Sequence, residues 1–196
     1  MNNLEKISKT VFKYRSYTPI PFLIIMLIFQ QATLQSLITG FVIALTGEGF
    51  RLWGVSYAGS ETRTTGDVGG TYLVISGAFG HVRNPLYLGN ILLYVGTGIM
   101  SNALFPYLQI IALVFFYIQY RLIIIAEEKY LKGTFGKAYE KYLDAVPRLV
   151  PRITKYKDKT VTQPPLNVKA GLRSEKRSLQ AFTIITIILI IQYLTN

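Results

Sequence analysis

Two polar stretches that border apolar segments hold the residues of this sequence best suited to chemistry. In the first, HVRNPLYLGN (residues 81–90), the single histidine of the chain and an arginine precede a long apolar run. Asn84 followed by Pro85 is typical of a helix start, because asparagine is a favoured N-cap and proline fits the first helical position. The first turn of a helix presents free N–H groups and a positive dipole end. With His81 and Arg83 beside it, this helix start is suited to bind a carboxylate or a phosphate.

The second stretch, RLIIIAEEKYL, places two adjacent carboxylates, Glu127 and Glu128, at the end of another apolar run. A helix C-terminus disfavours negative charge, so the pair needs a cationic partner or hydroxyl groups to bind. The uncharged segment SNALFP (residues 101–106) predicts a turn that folds the two apolar runs into an antiparallel hairpin. The two stretches would then form one pocket, with one wall for anions and one for cations or diols. Two simpler interpretations stay open: a membrane-surface arginine anchor, and a solvated acid pair neutralised by lysines.

A third set of charges, Glu48 and Arg51, lies inside an apolar segment. The two residues are three positions apart and therefore share one face of a helix. Charges at membrane depth are costly and usually face a bundle interior or water. They form either an ion pair that orients helices or part of a site. In a site, Glu48 would accept a proton and Arg51 would contact the substrate.

Composition places the chain among integral membrane proteins. Its 196 residues are 51% hydrophobic and 16% charged, with a mean hydropathy of +0.34, whereas about 25% of the residues of a soluble domain are charged. The apolar residues form blocks comparable to the roughly 20 residues that cross a bilayer as helix. Cysteine is absent and histidine occurs once, so the sequence predicts no disulfide and no metal site.

The pattern predicts an all-α fold: a polytopic transmembrane bundle of about five spans with cytoplasmic amphipathic helices. The predicted spans are residues 19–35, 36–59, 86–101, 104–126 and 178–194. Aromatic and leucine residues recur at three- and four-residue steps between 127 and 152, which indicates amphipathic helix. Gly133 and Gly136 are expected to break that helix, and the glycine-rich residues 61–80 are expected to form a loop at the membrane surface.

The same pattern divides the chain into five regions. They are a basic N-terminal segment with the first transmembrane hairpin (1–59), a cytoplasmic loop (60–85), the second hairpin with its C-terminal motif (86–152), a basic linker (153–177) and a further apolar helix (178–196).

Lysine and arginine are distributed unevenly around the predicted spans. Four precede the first span, Arg63 and Arg83 lie in the 60–85 loop, and 14 occur from Arg121 through Arg177. The positive-inside rule puts these segments on the cytoplasmic side of a cell membrane, the inner membrane in a bacterium. The net charge of +11 then suits anionic lipid headgroups rather than nucleic acid.

The ordered set of motifs resembles the isoprenylcysteine carboxyl methyltransferase and phospholipid methyltransferase group of integral membrane enzymes. That group combines Arg-His-Pro-x-Tyr-x-Gly, a helical hairpin, Glu-Glu-x-x-Leu, Phe-Gly-x-x-Tyr-x-x-Tyr and a closing Arg-x-x-Pro. The matching residues here are Arg83, Pro85, Tyr87, Gly89, Glu127, Glu128, Leu131, Phe135, Gly136, Tyr139, Tyr142, Arg148 and Pro151. The resemblance covers about residues 77–152. Asn84 occupies the histidine position of the group, and His81 lies three residues earlier.

The resemblance implies methyl transfer from S-adenosylmethionine to a lipid or lipid-like acceptor. It assigns the cofactor carboxylate to Arg83 and the helix start, including His81, Asn84, Pro85, Tyr87 and Gly89. Glu127 and Glu128 would bind the ammonium or the ribose hydroxyls. Tyr87, Tyr139 or Tyr142 would face the adenine or the sulfonium. Arg83, Glu128 and Glu48 are the expected catalytic residues, and Arg51 and Arg148 the expected substrate contacts.

The acceptor is open between an isoprenylcysteine-type carboxylate and a phospholipid amine. Two other functions also stay open. One is a nicotinamide-dependent membrane reductase of the sterol-reductase type, by analogy of architecture. The other is a non-catalytic membrane adaptor that binds anionic lipid. The sequence does not indicate an oligomeric state.

Overall fold

The computed structural model describes residues 3–59 and 73–195, and their side chains from residue 7 onward. This part of the chain is helical and contains no strand, which confirms the all-α prediction for it. Most of the predicted 61–80 loop lies outside the described residues. The helices are α1 (Asn3–Tyr14), α2 (Pro19–Ile28), α3 (Leu34–Ala58), α4 (Pro85–Ser101), α5 (Tyr107–Ala145) and α6 (Val168–Thr195), with a 3-10 turn at Gly77–Gly80.

The first predicted span, residues 19–35, is interrupted before its end, because a new helix, α3, begins at Leu34. The Thr33 hydroxyl accepts a hydrogen bond from the Ser36 backbone N–H at 3.1 Å, and the Ser36 hydroxyl accepts one from the Thr33 N–H at 2.9 Å. This reciprocal capping box satisfies two backbone donors at a helix N-terminus. The apolar run that the sequence suggests as one span to Gln35 therefore stops at Ile28, and a new helix begins at Leu34.

The start of α4 is confirmed in one respect and corrected in another. Pro85 is the first residue of the helix, as predicted. The Asn84 side chain, however, does not cap the helix. Its amide nitrogen instead donates to the Arg148 carbonyl at 3.1 Å, because the segment that follows α5 lies against this helix start. Asn84 thus joins two distant segments.

The interior of α5 and the start of α6 also differ from the sequence predictions. Gly136 has non-helical backbone angles (φ 51°, ψ −128°) and interrupts α5, whereas Gly133 remains helical. α6 begins ten residues before the predicted apolar helix, because the Asn167 side-chain oxygen accepts a hydrogen bond from the Ala170 N–H at 2.9 Å. The first ten residues of α6, which make nearly three turns, therefore belong to the segment predicted as a linker.

Two helices of the described residues, α5 and α6, are long and apolar enough to cross a membrane. Residues Ile7–Tyr14 of α1 and α2, bent by 48° relative to each other, would make a third span if they cross together. α3 and α4 do not meet the same criteria of length and hydropathy. Five spans therefore remain a prediction, while a helical membrane protein with two to three candidate spans is established.

Small residues bring α3 and α4 into close contact, which is how helices associate tightly in membranes. A Cβ atom added at Gly40 would lie 2.4 Å from the Gly96 carbonyl oxygen, and one at Gly47 would lie 2.5 Å from the Gly89 carbonyl oxygen. These contacts are with backbone and cannot be relieved by a side-chain rotation. The α3–α4 pair is therefore a rigid support for the residues at the start of α4.

We expect Gly40→Ala to lower the melting temperature of the purified protein. The added methyl group would push α3 away from α4, and overpacking of this kind costs about 1–3 kcal/mol. In a chain of this length the loss corresponds to roughly 3–10 °C. Gly49→Ala is the matched control, because a Cβ at Gly49 meets nothing within 4 Å. Equal melting temperatures for the two variants would show that α3 and α4 have room to separate without loss of stability.

Candidate active site

The segment before α4 is held against the segment after α5 by backbone hydrogen bonds. The Arg83 N–H donates to the Pro147 carbonyl at 2.8 Å, the Arg152 N–H donates to the His81 carbonyl at 2.9 Å, and the Tyr156 N–H donates to the Gly80 carbonyl at 2.8 Å. These bonds join parts of the chain that are far apart in sequence. The ends of α4 and α5 that carry the polar motifs thus meet, as the sequence predicts.

Glu128 lies between two arginines at this junction. Its Oε1 atom is 3.1 Å from Arg83 Nη2, and it accepts hydrogen bonds from Arg148 Nε and Nη2 at 2.9 and 2.7 Å. The Glu128 and Arg83 side chains are 12% and 10% exposed, and that of Arg148 is 34% exposed. The hydrogen bond to Glu128 raises the pKa of Arg148 above its ordinary value. The cluster has two fixed positive charges and one negative charge, so it carries one excess positive charge.

Glu127 points to a different set of side chains. It accepts a hydrogen bond from the Tyr87 hydroxyl at 2.6 Å. The Tyr87 ring stacks on the Tyr120 ring, with 4.7 Å between centroids. Successive residues of an α-helix are rotated by about 100°, so adjacent carboxylates reach different neighbours. Glu127 therefore provides a separate carboxyl group beside the positive arginine cluster.

We expect Tyr87→Phe to lower the melting temperature at neutral pH by a few degrees. Among the described residues, Tyr87 donates the side-chain hydrogen bond to Glu127. Loss of that bond leaves an acceptor unsatisfied, which costs about 1–3 kcal/mol when the acceptor is buried. Tyr117→Phe is the control, because Tyr117 lies on the same helix as Glu127 but its side chain is 48% exposed. If both variants have the melting temperature of the wild-type protein, the Tyr87–Glu127 hydrogen bond contributes nothing to stability.

A cavity of about 910 Å³ begins at these residues and runs between the helices. At one end its lining includes Arg83, Glu127 and Glu128, and at the other end it includes Gly98 and Phe116. Residues 85 to 98 of α4 would extend roughly 20 Å at 1.5 Å per helical residue. The cavity is therefore long, with an ionic end and an apolar end.

A second buried ionic cluster borders the cavity. Arg51 forms ion pairs with Glu175 on α6 and with Glu48, the latter at 3.6 Å. Arg51 also donates a hydrogen bond to the Asn90 side chain, and the Ser178 hydroxyl donates one to Glu48. Glu48 and Glu175 are 2% and 0% exposed. The predicted Glu48–Arg51 pair thus exists, and α6 adds a third charge to it.

The structure brings most of the predicted site residues to the cavity wall. Those that line it are Arg51, Arg83, Asn84, Pro85, Tyr87, Glu127, Glu128, Tyr139 and Tyr142. Four predicted residues do not line it: Glu48, His81, Gly89 and Arg148.

The contacts explain these four positions. His81 Nδ1 lies 2.9 Å from the Arg152 carbonyl oxygen, and its ring lies against Trp53. The space beside Gly89 is filled by α3, because a Cβ atom at Gly89 would meet Arg51 and the Gly47 carbonyl. Arg148 and Glu48 stand behind lining residues, Glu128 and Arg51, with which they pair.

Several polar cavity residues were not identified from the sequence. They are Arg15, Ser16, Asn90, Tyr94, Thr97, Gln109, Tyr120, Glu175, Arg177 and Ser178. A usable signal exists for those on α4, because Tyr87, Asn90, Tyr94 and Thr97 recur at three- and four-residue steps and form one polar stripe on an apolar helix. No comparable pattern marks Arg15 or Glu175. Among the described residues, no group of three or more histidine, cysteine or acidic side chains is arranged to hold a metal ion.

Fold and site together define a helical membrane protein with an internal cavity that is ionic at one end and apolar at the other. The model of the phospholipid methyltransferase family matches residues 35–138, which is more than half of the chain. The chain therefore belongs to the phospholipid methyltransferase family and is a membrane methyltransferase of a family that acts on lipid. No curated protein and no solved structure matches it. The family match covers α3, α4 and most of α5, and it supports neither the reductase nor the adaptor hypothesis.

Proposed function

We propose that this protein transfers a methyl group from S-adenosylmethionine to a lipid or lipid-like acceptor bound in the cavity. The observation that carries the proposal is the arrangement of polar groups at the ionic end. Arg83, Arg148 and Glu128 together carry one excess positive charge, and the Glu127 carboxyl group, a hydrogen-bond acceptor, lies beside them. The amino-acid part of S-adenosylmethionine has one carboxylate and one ammonium, and these two protein groups complement it.

The residues present also fit the cofactor in their hydrogen bonding. The Arg83 Nε atom is buried and makes no hydrogen bond to a described residue, and Arg83 lines the cavity. A buried donor without a partner costs free energy, so an anionic ligand group beside Arg83 would be favoured. We assign the cofactor carboxylate to Arg83, supported by Arg148 through Glu128, and the ammonium or ribose hydroxyls to Glu127.

When bound, S-adenosylmethionine would supply an electrophilic methyl group on a cationic sulfur. Aromatic faces attract such cations, and Tyr139 and Tyr142 line the same end of the cavity. Tyr139 and Tyr142 are each 3% exposed, and the Tyr142 hydroxyl donates to the Phe79 carbonyl at 2.8 Å. These rings are therefore held in place, and they would also exclude water from the ionic end.

The apolar end of the cavity suits the hydrocarbon part of a lipid acceptor. Its walls include Leu93, Leu108, Ala112 and Phe116. Apolar surface that moves from water to such a wall contributes roughly 25 cal/mol per Å². At 1.5 Å per residue of α4, the cavity length of roughly 20 Å would hold an acyl or prenyl chain with its reactive group toward the ionic end.

The second ionic cluster would serve an acceptor that has to lose a proton. Ser178 lines the cavity and donates its hydroxyl proton to Glu48. A protonated amine could pass a proton to the Ser178 hydroxyl while Ser178 passes its own proton to Glu48. Arg51 would hold the carboxylates of Glu48 and Glu175 in position. A carboxylate acceptor would need no such step. An active site on the cytoplasmic side of the cell (inner) membrane, with anionic lipid around the basic flanks, completes the proposal.

Two measurements on the purified wild-type protein in detergent test the proposed function. The first is equilibrium binding of S-adenosylmethionine, which we expect to be saturable. The second is transfer of radiolabelled methyl groups from S-adenosylmethionine to a total lipid extract, which we expect to label a lipid band. Heat-denatured protein is the control for both. If no saturable binding occurs, the protein does not use this cofactor.

A further inference from the structure

The apolar end of the cavity contains a polar side chain whose hydrogen bonding is incomplete. Gln109 lies on the first turn of α5 and lines the cavity beside Leu108 and Ala112. It is buried, with 6% of the residue exposed. Its amide nitrogen, Nε2, donates to the carbonyls of Gly98 at 2.8 Å and Ala103 at 3.2 Å. Its amide oxygen, Oε1, is buried and has no hydrogen-bond partner among the described residues.

The two carbonyl contacts fix the orientation of the Gln109 amide. A rotated amide would place Oε1 against the Gly98 and Ala103 carbonyl oxygens, and two acceptors do not bond to each other. In the observed orientation Nε2 uses both of its N–H groups, so the amide has no donor left. A buried acceptor without a partner costs free energy. A hydrogen-bond donor on a ligand in the cavity would remove that cost.

Thr97 adds a second acceptor at the same level of α4. It precedes Gly98, lines the cavity and is 5% exposed. Its hydroxyl donates within the helix, to the Leu93 carbonyl at 2.9 Å and the Tyr94 carbonyl at 3.0 Å. The hydroxyl proton is therefore in use, while the oxygen can still accept a hydrogen bond. Because Gln109 and Thr97 offer acceptors and no free donor, the group that they suit is a hydrogen-bond donor.

The cavity has room for a ligand group beside Gln109. A Cβ atom added at Gly98 would lie 3.6 Å from Gln109 Cγ and 3.8 Å from Met26 Sδ, which is ordinary van der Waals contact. A Cβ atom at Gly96, by contrast, would lie 2.5 Å from the Ala44 backbone nitrogen. Gly96 therefore serves the contact with α3, whereas Gly98 leaves space on the cavity side of α4.

Gln109 and the ionic cluster lie at opposite ends of the cavity. The first residue of α4, Pro85, is next to the ionic end, and Gln109 bonds to Gly98. Residues 85 to 98 of a helix span roughly 20 Å. Between the two ends the lining includes the apolar side chains of Leu93 and Phe116. A molecule that fills the cavity therefore meets polar groups at both of its ends.

We propose that Gln109, assisted by Thr97, binds an alcohol group at the far end of the methyl acceptor. The acceptor is then an elongated apolar molecule, with the methylated group at the ionic end and a hydroxyl group roughly 20 Å away. This inference rests on the proposed function, because it names a class of acceptor for that reaction. Gln109 is a specificity residue and takes no part in the methyl transfer.

The sign of the expected effect separates this site from a simple apolar pocket. Burial of a hydroxyl group without a hydrogen bond is unfavourable, so a purely apolar end would bind an unsubstituted chain more tightly. A site built to bond a hydroxyl group instead rejects analogues that lack it, because its own polar group is then left unpaired. An ether at the same place would accept hydrogen bonds but donate none, so it would also leave Oε1 unpaired.

Binding of three fatty acids to the full-length protein in detergent, without cofactor, tests the inference. The probes are ω-hydroxypalmitic acid, palmitic acid and ω-methoxypalmitic acid, each with a carboxylate for the ionic end. Affinities are corrected for partition of each probe into protein-free micelles. We expect the wild-type protein to bind the hydroxy acid roughly tenfold more tightly than either of the others, which corresponds to about 1.4 kcal/mol.

Two variants assign the preference to Gln109. Gln109→Met, which keeps the length of the side chain and removes the amide, should abolish the preference for the hydroxy acid. Gln119→Met is the matched control and should retain it, because Gln119 lies on the same helix, is 5% exposed and does not line the cavity. The ratio of affinities for two probes is compared within each variant, so a general loss of stability does not imitate the effect.

Each other outcome overturns the inference. If the wild-type protein binds palmitic acid as tightly as the hydroxy acid or more tightly, this end of the cavity is an apolar pocket. If ω-methoxypalmitic acid binds as tightly as the hydroxy acid, no donated hydrogen bond is needed there. An equal loss of preference in Gln119→Met would trace the effect to the packing of α5. The series of probes on the wild-type protein gives its result even if Gln109→Met does not fold.

Binding of S-adenosylmethionine to the same preparation separates this inference from the proposed function. A protein that binds the cofactor but does not prefer the hydroxy acid overturns this inference alone. A protein that prefers the hydroxy acid but does not bind the cofactor supports the alcohol site at Gln109 and overturns the proposed function.

Discussion

Arg83→Ala should weaken S-adenosylmethionine binding by roughly 10- to 100-fold and abolish detectable methyl transfer to lipid. The substitution leaves Glu128 paired with Arg148 as a neutral unit, so the excess positive charge proposed to hold the cofactor carboxylate disappears. Hydrogen bonds to charged groups contribute about 1.5–3 kcal/mol, and each 1.4 kcal/mol corresponds to a tenfold change in affinity. The measurements are equilibrium binding of the cofactor and transfer of radiolabelled methyl groups.

This variant should remain folded, because it leaves no buried carboxylate without a cation: Arg148 still contacts Glu128 through two nitrogens. A melting curve within about 5 °C of the wild type would confirm that. Arg173→Ala is the matched control, since Arg173 is exposed on α6 and outside the cavity lining. Wild-type affinity in Arg83→Ala would remove Arg83 from the cofactor site, whatever its contact with Glu128.

Arg51→Met should destabilise the protein strongly. Once the Arg51 guanidinium is removed, Glu48 and Glu175 are left as two buried carboxylates without a cation between them. Removal of one partner from a buried ion pair costs about 3–5 kcal/mol, which corresponds to a fall in melting temperature of roughly 10 °C or more in a chain of this length. Thermal unfolding in detergent measures the effect. Lys176→Met is the control, because it removes an exposed cation next to Glu175. Its melting temperature should equal that of the wild-type protein.

A triple variant tests whether the cause is charge rather than lost packing. Arg51→Met combined with Glu48→Gln and Glu175→Gln removes all three charges and should recover most of the lost stability, because no buried charge is then left without a partner. Failure of the triple variant to recover stability would mean that Arg51 acts through its volume and its bond to Asn90 instead.

The arrangement of Glu127 and Glu128 illustrates where sequence reasoning is sufficient and where it is not. Two adjacent carboxylates at the end of an apolar helix, opposite a basic helix start, predict that the two stretches meet, and the Arg83–Glu128 contact confirms this. The sequence treats the pair as one acidic wall. In the structure Glu128 bridges two arginines and Glu127 contacts Tyr87, because neighbouring side chains on a helix point in different directions.

The second ionic cluster shows the same limit over a longer distance. Glu48 and Arg51 can be paired from their spacing alone, since residues three apart on a helix are neighbours. Glu175 lies far later in the chain, in a segment whose composition predicts a basic linker. It reaches Arg51 because the Asn167 cap starts α6 early and because Gly171 lets α6 approach Ser56 on α3.

The sequence by itself determines that the protein is helical, that it belongs in a membrane, and that α4 begins at Pro85 beside the charged motif. Those properties depend on local features: hydropathy, residue spacing and the restricted backbone of proline. The tertiary structure alone decides which charges share a partner and which side chains surround the cavity. Such contacts depend on how each helix is rotated and how closely it approaches its neighbours, and here backbone contacts at Gly40, Gly47 and Gly96 fix the α3–α4 pair.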